Sequence, residues 1–328
     1  MKKTTMLVAL TLAFVLLFTC TSAFAQEKTF VIGIAQFAEH PSLDNCREGF
    51  IQGLADKGFV EGDNVKFIVQ NAQADMGLAQ QIAVQMAAEC DLVCAIATPM
   101  AQAAFNACMD QNIPVVYSAV SDPVSAMLAN AEGKSDKAIT GTSDILPVEA
   151  QLQLIRAFLP DATKIGILYT TSETNSESQL KVYQEKAPEY GFEIIATGVS
   201  TGADIPLAMD SLLPKVDCLS NLTDNTVVSN LPVILDKASA ANKGVFGSEV
   251  EQVKNGCIAT VGVEYVNLGV VTGELAAQVL EGAFAGDLPF ALCTESNMYY
   301  NPAVAQALGI TLPAEEIARG IDVSTLTE

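Results

Sequence analysis

The stretch Phe30–Phe50, FVIGIAQFAEHPSLDNCREGF, opens with a mainly apolar run and then turns polar abruptly. The run ends at Phe37, and Glu39, His40 and Pro41 interrupt it before a helical pattern begins. An apolar run of this length followed by an amphipathic segment predicts a strand buried on both faces and then a helix. Polar side chains at the carboxyl end of such a strand are candidates for binding a ligand.

The same alternation continues along the first half of the chain. Short apolar segments are separated by amphipathic stretches, and they read TFVIGIAQF, VKFIVQNA, CDLVCAIAT, IPVVYSAV and AITGTSD. Strands in a parallel sheet covered by helices show this pattern and lack clean polar alternation, because both of their faces are buried. The first half is therefore predicted to form an α/β lobe.

The second half repeats this plan. KIGILYT corresponds to VIGIAQF, and Gly33 and Gly58 are separated by 25 residues, as are Gly166 and Gly191. The segments VDCLSNLTDN, NKGVFGSEVE and GCIATVGVEY then follow in the same order as CDLVCAIATP, NIPVVYSAVSD and KAITGTSDI. Equal spacing together with a shared order of elements predicts two Rossmann-like lobes, each with a parallel sheet.

We expect the lobes to be joined by crossing segments that act as a hinge. Residues 30–142 and 269–290 are assigned to the first lobe, and residues 143–268 and 291–328 to the second. The chain is expected to cross near Gly141–Ile145 and to return near Tyr265–Gly269. The helical segment NLGVVTGELAAQVLEG would then cover the first lobe.

The first 25 residues have the features of a signal peptide. A basic start is followed by an apolar run over Met6–Phe18, and Ala23 and Ala25 supply the small residues that signal peptidase requires. An alternative is lipid attachment at Cys20, although the bulky Phe18 disfavours it. Either interpretation predicts a protein exported across the cytoplasmic membrane, to the periplasm or the cell surface.

The composition excludes several partners. The formal charge is −21, and it becomes −23 when Lys2 and Lys3 are removed with the signal peptide. A surface this acidic disfavours nucleic acid and anionic lipid. A hydrophobic fraction of 50% indicates a well-buried globular protein.

The cysteines and the histidine give no sign of a metal site or a cofactor. A single histidine and the absence of any Cys-x-x-Cys pair disfavour a zinc site. An odd number of cysteines follows the predicted cleavage point, so not all of them can pair within one chain. Several have apolar neighbours and are expected to act as small core residues. These seven cysteines are Cys46, Cys90, Cys94, Cys108, Cys218, Cys257 and Cys293.

The predicted ligand site is a cleft between the two lobes. Ligands of parallel α/β sheets bind beyond the carboxyl ends of the strands, and polar residues follow the strands in both halves. The wall from the first lobe is predicted to carry Gln36, Glu39, Thr98, Pro99, Ser118, Ser121 and Asp122. The wall from the second lobe is predicted to carry Thr171, Asn175, Thr223, Asp224, Asn225, Ser248 and Glu249.

Together, several segments resemble one family. GIAQFAEHPSLDNCREGFIQGL, AIATPMAQAA, VVYSAVSDPV, GTSDILPVEAQLQLI and TDNTV are similar to the substrate-binding proteins of ABC importers of the tryptophan/tyrosine type. The resemblance runs from about Phe30 to Arg319. It implies a type I periplasmic-binding-protein fold and a monomeric, non-enzymatic receptor that closes on an amino acid and presents it to a membrane permease. An aromatic amino acid is the leading ligand.

Under this resemblance the ligand carboxylate needs donors. Thr98 and Pro99 would open a helix whose free amides attract an anion, and Ser121 with Asp122 repeats that arrangement. In both places the alternative is a pure capping role. Asn175 is a further candidate, although it stands where a helix starts.

The ligand ammonium needs acceptors. Asp224 is the leading candidate and Glu249 the second, and capping of the next helix is the alternative for Asp224. Gln36 and Glu39 are expected to contact the ligand from the first lobe, whereas His40 is expected to have a structural role at the cleft rim. The aromatic residues nearest to strand ends are Phe37 and Tyr117.

Other functions remain open at this point. The sequence has no nucleophile elbow and no glycine-rich phosphate loop, so an enzyme is disfavoured. A sensor module for a chemoreceptor or a receptor kinase would share the fold. A branched aliphatic amino acid or another small metabolite would suit the same cleft.

Overall fold

The computed structural model of the chain describes residues 28–293 and 296–326. The predicted signal peptide and the alternative lipid site at Cys20 lie outside these residues. Within the described residues, no helix combines the length and the hydropathy needed to cross a membrane.

The strands are numbered in chain order. They are β1 (Phe30–Gln36), β2 (Val65–Asn71), β3 (Leu92–Ile96), β4 (Val115–Ser118), β5 (Ile139–Ser143), β6 (Lys164–Thr170), β7 (Glu193–Val199), β8 (Cys218–Ser220), β9 (Gly244–Phe246), β10 (Ala259–Gly262), β11 (Ala291–Leu292), β12 (Asn297–Tyr300) and β13 (Ile321–Asp322).

The α-helices are numbered in the same way. They are α1 (Pro41–Asp56), α2 (Met76–Glu89), α3 (Thr98–Cys108), α4 (Val148–Phe158), α5 (Thr174–Lys186), α6 (Ile205–Leu212), α7 (Asn225–Ser229), α8 (Leu231–Ala240), α9 (Val250–Lys254), α10 (Tyr265–Leu280), α11 (Pro302–Ala307) and α12 (Ala314–Arg319).

The first lobe is built on a sheet with the order β2-β1-β3-β4-β5-β11, in which every pair is parallel. Residues of β3 are fully buried along the whole strand, as expected for a strand covered on both faces. The apolar core combines these strands with α1, α2, α3 and α10. This arrangement confirms the predicted α/β lobe.

The second lobe contains a parallel sheet with the order β7-β6-β8-β9. Hydrogen bonds of 2.8 Å from Ile258 N to Val245 O and 3.0 Å from Gly247 N to Ala259 O connect β9 to β10. Beyond β10, the tail adds β12 in the antiparallel direction and β13 parallel to β12. The fold class is confirmed, with one antiparallel pair that the repeat did not predict.

The glycines that matched in the sequence have matching conformations. Gly33 lies in β1 and Gly166 in β6, and both strands are central in their sheets. Gly58 and Gly191 both adopt left-handed backbone, with φ of 89° and 74°, before the second strand of each lobe. Glycine tolerates this conformation without the steric cost that a side chain would impose. The internal repeat is therefore visible in the backbone as well as in the sequence.

Helices α1 and α10 pack with their backbones almost in contact. A Cβ atom added at Gly49 would come within 2.0 Å of the Val266 carbonyl oxygen, and one at Gly269 within 2.2 Å of the Cys46 carbonyl oxygen. Only glycine fits at such a distance. This close packing fixes the start of α10, at Tyr265, against the first lobe.

Three segments connect the lobes. The first leaves the first sheet after Ser143, at the end of β5, and the second runs from the end of β10 to Tyr265. The third lies after β11, whose residues Ala291 and Leu292 pair with Thr142 and Ser143 in the first sheet. The sequence predicts that residues from 291 onward belong to the second lobe. The pairing corrects that boundary, because β11 is an edge strand of the first lobe and the second lobe resumes only with β12.

Candidate ligand-binding site

A small buried cavity lies where the strand ends of the two lobes face each other. Its volume is about 20 Å³, which is room for a water molecule. The first lobe and the adjoining crossing segments contribute His40, Ser42, Leu43, Ala119, Asp144 and Tyr265. The second lobe contributes Asn175, Thr223, Asn225, Val228, Ser248, Glu249 and Gln252.

Buried polar atoms without hydrogen-bond partners converge on this cavity. They are both ring nitrogens of His40, the Ser42 hydroxyl, Oδ1 of Asp144 and Oδ1 of Asn175. All four side chains line the cavity. A buried polar atom without a partner costs free energy, and native proteins keep few of them. Their convergence on one cavity indicates a ligand-binding site.

Asp144 directly follows β5 and is the acid at the centre of the site. The Tyr265 hydroxyl donates a hydrogen bond of 2.5 Å to Asp144 Oδ2. Burial raises the pKa of Asp144, whereas the hydroxyl groups of Tyr265 and Ser121 act in the opposite direction. Oδ1 is left as an acceptor that faces the cavity.

The orientation of the Asn175 amide follows from its neighbours. Nδ2 donates to the Thr223 carbonyl oxygen at 2.8 Å and to Glu173 Oε2 at 3.1 Å. Both partners are acceptors, so the amide nitrogen must point toward them and Oδ1 toward the cavity. Asn175 therefore offers the cavity a second acceptor.

His40 and Ser42 offer donors on the opposite wall. Burial lowers the pKa of His40 to about 4, against the opposing effects of the Asn225 amide and the Asp44 charge. The ring is therefore neutral at physiological pH, with one N–H donor and one acceptor nitrogen. The Ser42 hydroxyl lies beside the carboxyl group of Glu249 without a hydrogen bond of normal geometry.

Glu249 has a structural role and also faces the cavity. Its carboxyl oxygens accept hydrogen bonds from the amides of Glu251 at 2.6 Å and Gln252 at 3.1 Å, so it caps α9. Burial raises its pKa to about 7, and the amides and the Ser42 hydroxyl oppose that shift. Glu249 lies on the cavity wall that belongs to the second lobe.

Hydrogen bonds across the cleft hold the lobes together. The hydroxyl groups of Ser121 and Thr223 lie 2.8 Å apart, and Asn45 Nδ2 donates to Glu251 Oε1 at 3.2 Å. Each of these bonds joins a residue of one lobe to a residue of the other. The structure therefore has the closed arrangement of the two lobes.

Asp224, the leading ammonium candidate, has its carboxylate fully occupied inside the second lobe. It accepts hydrogen bonds from the Thr170 amide (2.5 Å) and hydroxyl (2.7 Å), from the Ser176 hydroxyl (2.7 Å) and from the Val227 amide (2.8 Å). It caps α7 and does not line the cavity. The predicted role is corrected accordingly, because no acceptor oxygen of Asp224 faces the cleft.

The turn after β1 places its side chains differently from the prediction. Glu39 is exposed at the rim, whereas His40 is buried and lines the cavity. Gln36 donates to the Ala38 carbonyl oxygen at 2.7 Å and accepts from Arg47 at 2.8 Å, so both ends of its amide are used within the first lobe. His40, which was expected at the rim, is the extended residue immediately before α1 and lines the cavity, whereas Glu39, which was expected to contact the ligand, lies at the rim.

The helix-start candidates of the first lobe also stand outside the cavity lining. Thr98 and Pro99 are buried in the first turn of α3, and Asp122 caps its own turn through the Ser125 amide at 2.9 Å. Ser121 takes part indirectly, through its bond to Thr223. For Asp122, capping, the alternative considered above, is what the structure displays.

Five of the residues predicted for the cleft walls line the cavity, namely Asn175, Thr223, Asn225, Ser248 and Glu249. Sequence reasoning missed Ser42, Asp144, Gln252 and Tyr265. Asp144 carried a usable signal, because it follows an apolar strand just as Asp122 and Asp224 do. The aromatic candidates Phe37 and Tyr117 are buried but do not line this cavity.

The described residues contain no group of three or more histidine, cysteine or acidic side chains arranged to hold a metal ion. Their cysteines between Cys46 and Cys257 are buried thiols, and burial raises their pKa. These thiols therefore act as small core residues.

Comparison with known proteins places the chain in a family. The profile of the ABC transporter substrate binding protein family matches residues 31–323. The chain belongs to this family. It is 41% identical over 278 residues to a tyrosine-binding protein of Clostridioides difficile, covering 84% of this chain and 80% of that protein. It is a substrate-binding protein of the ABC transporter type with the type I periplasmic-binding-protein fold.

Two solved structures bear on the arrangement of the lobes. An ABC domain from Streptococcus pneumonia in complex with L-Trp is 33% identical, with a TM-score of 0.87 and coverage of 90% of this chain and 99% of that chain. A ligand-free, open substrate-binding protein with adhesive properties from Clostridium difficile is 38% identical, with the same coverage but a TM-score of only 0.66. The open protein has the more similar sequence but the less similar structure. This difference is expected because the two lobes of the present structure are closed.

Proposed function

We propose that this protein binds an aromatic L-amino acid, tyrosine or tryptophan, between its lobes and delivers it to a membrane permease. The observation that carries the proposal is the convergence of unpartnered polar atoms from His40, Ser42, Asp144 and Asn175 on the buried cavity. The relatives add support, since one is a tyrosine-binding protein and another was solved with L-Trp.

The polar atoms suit a zwitterion. Oδ1 of Asp144 and Oδ1 of Asn175 are acceptors for an ammonium group, and a carboxylate–ammonium hydrogen bond is among the stronger polar contacts. The Ser42 hydroxyl and the N–H of the neutral His40 ring are donors for a carboxylate. Acceptors and donors together match both ends of an amino acid.

The apolar part of the lining suits an aromatic side chain. Leu43, Ala119, Val228 and the Tyr265 ring are the apolar surfaces around the polar groups. A volume of about 20 Å³ is smaller than any amino acid, so the lobes must separate for the ligand to enter and adjust around it. Two larger grooves, of about 720 and 870 Å³, flank the cavity at the cleft rim and share His40 with it.

The remaining parts of the proposal follow from the family. The protein acts outside the cytoplasmic membrane as a monomeric receptor without catalytic activity, and an ABC permease is its partner. Two acids line the cavity. Asp144 accepts a hydrogen bond from Tyr265, and Glu249 accepts hydrogen bonds from the first amides of α9. Such an arrangement favours binding a charged ligand over activating a nucleophile.

A thermal-shift screen of the mature protein against the twenty amino acids tests the proposal. A ligand present at a hundred times its dissociation constant stabilises the folded state by about 2.7 kcal/mol. We expect tyrosine, tryptophan or phenylalanine to raise the melting temperature, and Asn175→Ala to abolish the rise. Stabilisation by leucine or valine alone would contradict the aromatic assignment, and no stabilisation by any amino acid would contradict the ligand class.

A further inference from the structure

Asp144 and Tyr265 connect two of the segments on which the lobes move. Asp144 is the first residue after β5, where the chain leaves the first sheet, and Tyr265 is the first residue of α10, where the chain returns. Leu146, two residues after Asp144, already belongs to the core of the second lobe. The 2.5 Å hydrogen bond between Tyr265 and Asp144 therefore joins the two crossing segments directly.

The carboxylate of Asp144 is poorly compensated in the closed structure. The residue is 4% exposed and Oδ1 has no hydrogen-bond partner. The groups that oppose the effect of burial on its pKa are the hydroxyls of Tyr265 and Ser121 and a backbone amide, and none of these groups is charged. The neighbouring Glu249 is also acidic. A buried carboxylate with so few partners destabilises the arrangement that buries it, and opening the cleft would return it to water.

We propose that Asp144 opposes closure of the unliganded protein and that a ligand ammonium at its free oxygen reverses this effect. Tyr265 acts as a positioning residue, because its hydroxyl holds the carboxylate so that Oδ1 faces the cavity. The effect of the ligand ammonium rests on the proposed function. The effect of Asp144 on closure of the unliganded protein does not. A ligand without a cationic group, such as an N-acetylated amino acid, would leave the carboxylate uncompensated and would fail to close the cleft.

The test for the unliganded state is small-angle X-ray scattering of the mature protein and three variants. Asp144→Asn removes the charge and keeps the shape, so we expect a smaller radius of gyration than in the wild type. Tyr265→Phe removes the donor that compensates the charge, so we expect a radius at least as large as in the wild type. Tyr183→Phe is the matched control, because its hydroxyl bonds to Ser220 inside the second lobe at 3.0 Å.

Asp144→Asn should therefore favour closure and Tyr265→Phe should not, and a loss of folding would not produce the smaller radius expected for Asp144→Asn. Melting curves establish that each variant is folded. An Asp144→Asn protein with the same radius as the wild type would overturn the inference, as would a wild type that is already compact without ligand.

The ligand-bound state is tested by titration with L-tryptophan. The chain contains no tryptophan, so the fluorescence of this ligand is observed selectively when it is excited at wavelengths beyond the tyrosine absorption band. We expect a loss of affinity of about tenfold or more in Asp144→Asn, since hydrogen bonds to charged groups are the stronger ones. Tyr265→Phe should bind more weakly than Tyr183→Phe, and equal affinities would overturn the role of Tyr265.

These experiments separate the two proposals. If the wild type binds no aromatic amino acid, the proposed function fails. The scattering comparison of unliganded wild type and Asp144→Asn still decides the inference, because it requires no ligand.

Discussion

The Ser121 hydroxyl lies 2.8 Å from the Thr223 hydroxyl, and this hydrogen bond joins a loop of the first lobe to the wall of the second. Thr223 is itself held in place, because its amide donates to Gln179 Oε1 at 3.0 Å and its carbonyl accepts from Asn175. The bond exists only when the lobes are closed. It therefore contributes to the stability of the closed form and not to the folding of either lobe.

We expect Ser121→Ala to weaken ligand binding by about two- to tenfold, because a neutral hydrogen bond contributes about 0.5–1.5 kcal/mol. The faster dissociation should be visible in stopped-flow displacement of the ligand. Ser125→Ala is the matched control, since its hydroxyl bonds to Asp122 within the same loop and does not cross the cleft. Equal dissociation rates for the two variants would contradict this account of the cross-lobe bond.

Asp224→Ala should destabilise the second lobe. The substitution leaves the donors of Thr170, Ser176 and Val227 buried without their acceptor, and we expect a loss of about 3 kcal/mol or more in the free energy of unfolding. Urea denaturation measures it. Asp122→Ala, which removes an exposed turn cap, should cost about 1 kcal/mol or less. An Asp224→Ala protein as stable as the wild type but unable to bind ligand would restore the role first predicted for this residue.

The raised pKa of Glu249 predicts a dependence of stability on pH. Its pKa is about 7 in the folded protein, against 4.5 for an unperturbed glutamate. The protonated form is thus favoured by folding, so this contribution is fully present below about pH 4.5 and is lost as the pH rises through 7. Its size is on the order of 3 kcal/mol, at 1.36 kcal/mol for each unit of pKa.

Urea denaturation of the wild type and of Glu249→Gln between pH 5 and pH 8 isolates this effect. The wild type should lose stability relative to the variant across that range, because glutamine does not titrate and can still accept the capping bonds of α9. A difference in the free energy of unfolding that stays constant with pH would show that Glu249 is not responsible.

Gly269→Ala should disrupt the contact between α1 and α10. The added Cβ would lie 2.2 Å from the Cys46 carbonyl oxygen and 2.8 Å from the Phe50 nitrogen, and backbone atoms cannot move aside as a flexible side chain can. We expect a loss of about 3 kcal/mol in stability. Because α10 begins at Tyr265, ligand affinity should also fall. Asn267→Ala, on the exposed face of the same helix, should change neither property.

The general architecture was predictable because it depends on patterns that repeat. Runs such as FVIGIAQ and KIGILYT are buried on both faces, and the equal spacing of their glycines reflects equivalent backbone positions. The edge strand β11 was not predictable. Its two residues lack a pattern of their own, and their pairing depends on where the tail passes the first sheet.

The site was only partly predictable, because each candidate acid had two possible roles. Asp122 and Asp224 both follow strands and precede helical turns, and a short acid at such a place caps as readily as it binds a ligand. Asp144 follows a strand but precedes a crossing segment, so its carboxylate has fewer amides to accept from. That difference, invisible in local spacing, leaves its oxygen facing the cavity.

Titration of the mature protein with L-tryptophan, with L-tyrosine as competitor, tests whether an aromatic amino acid binds between the lobes at the polar groups of Asp144 and Asn175. We predict saturable binding of one ligand per chain, displacement by L-tyrosine, and a marked loss of affinity in Asn175→Ala. Binding that is absent, or that is unchanged in Asn175→Ala and Asp144→Asn, would contradict the account.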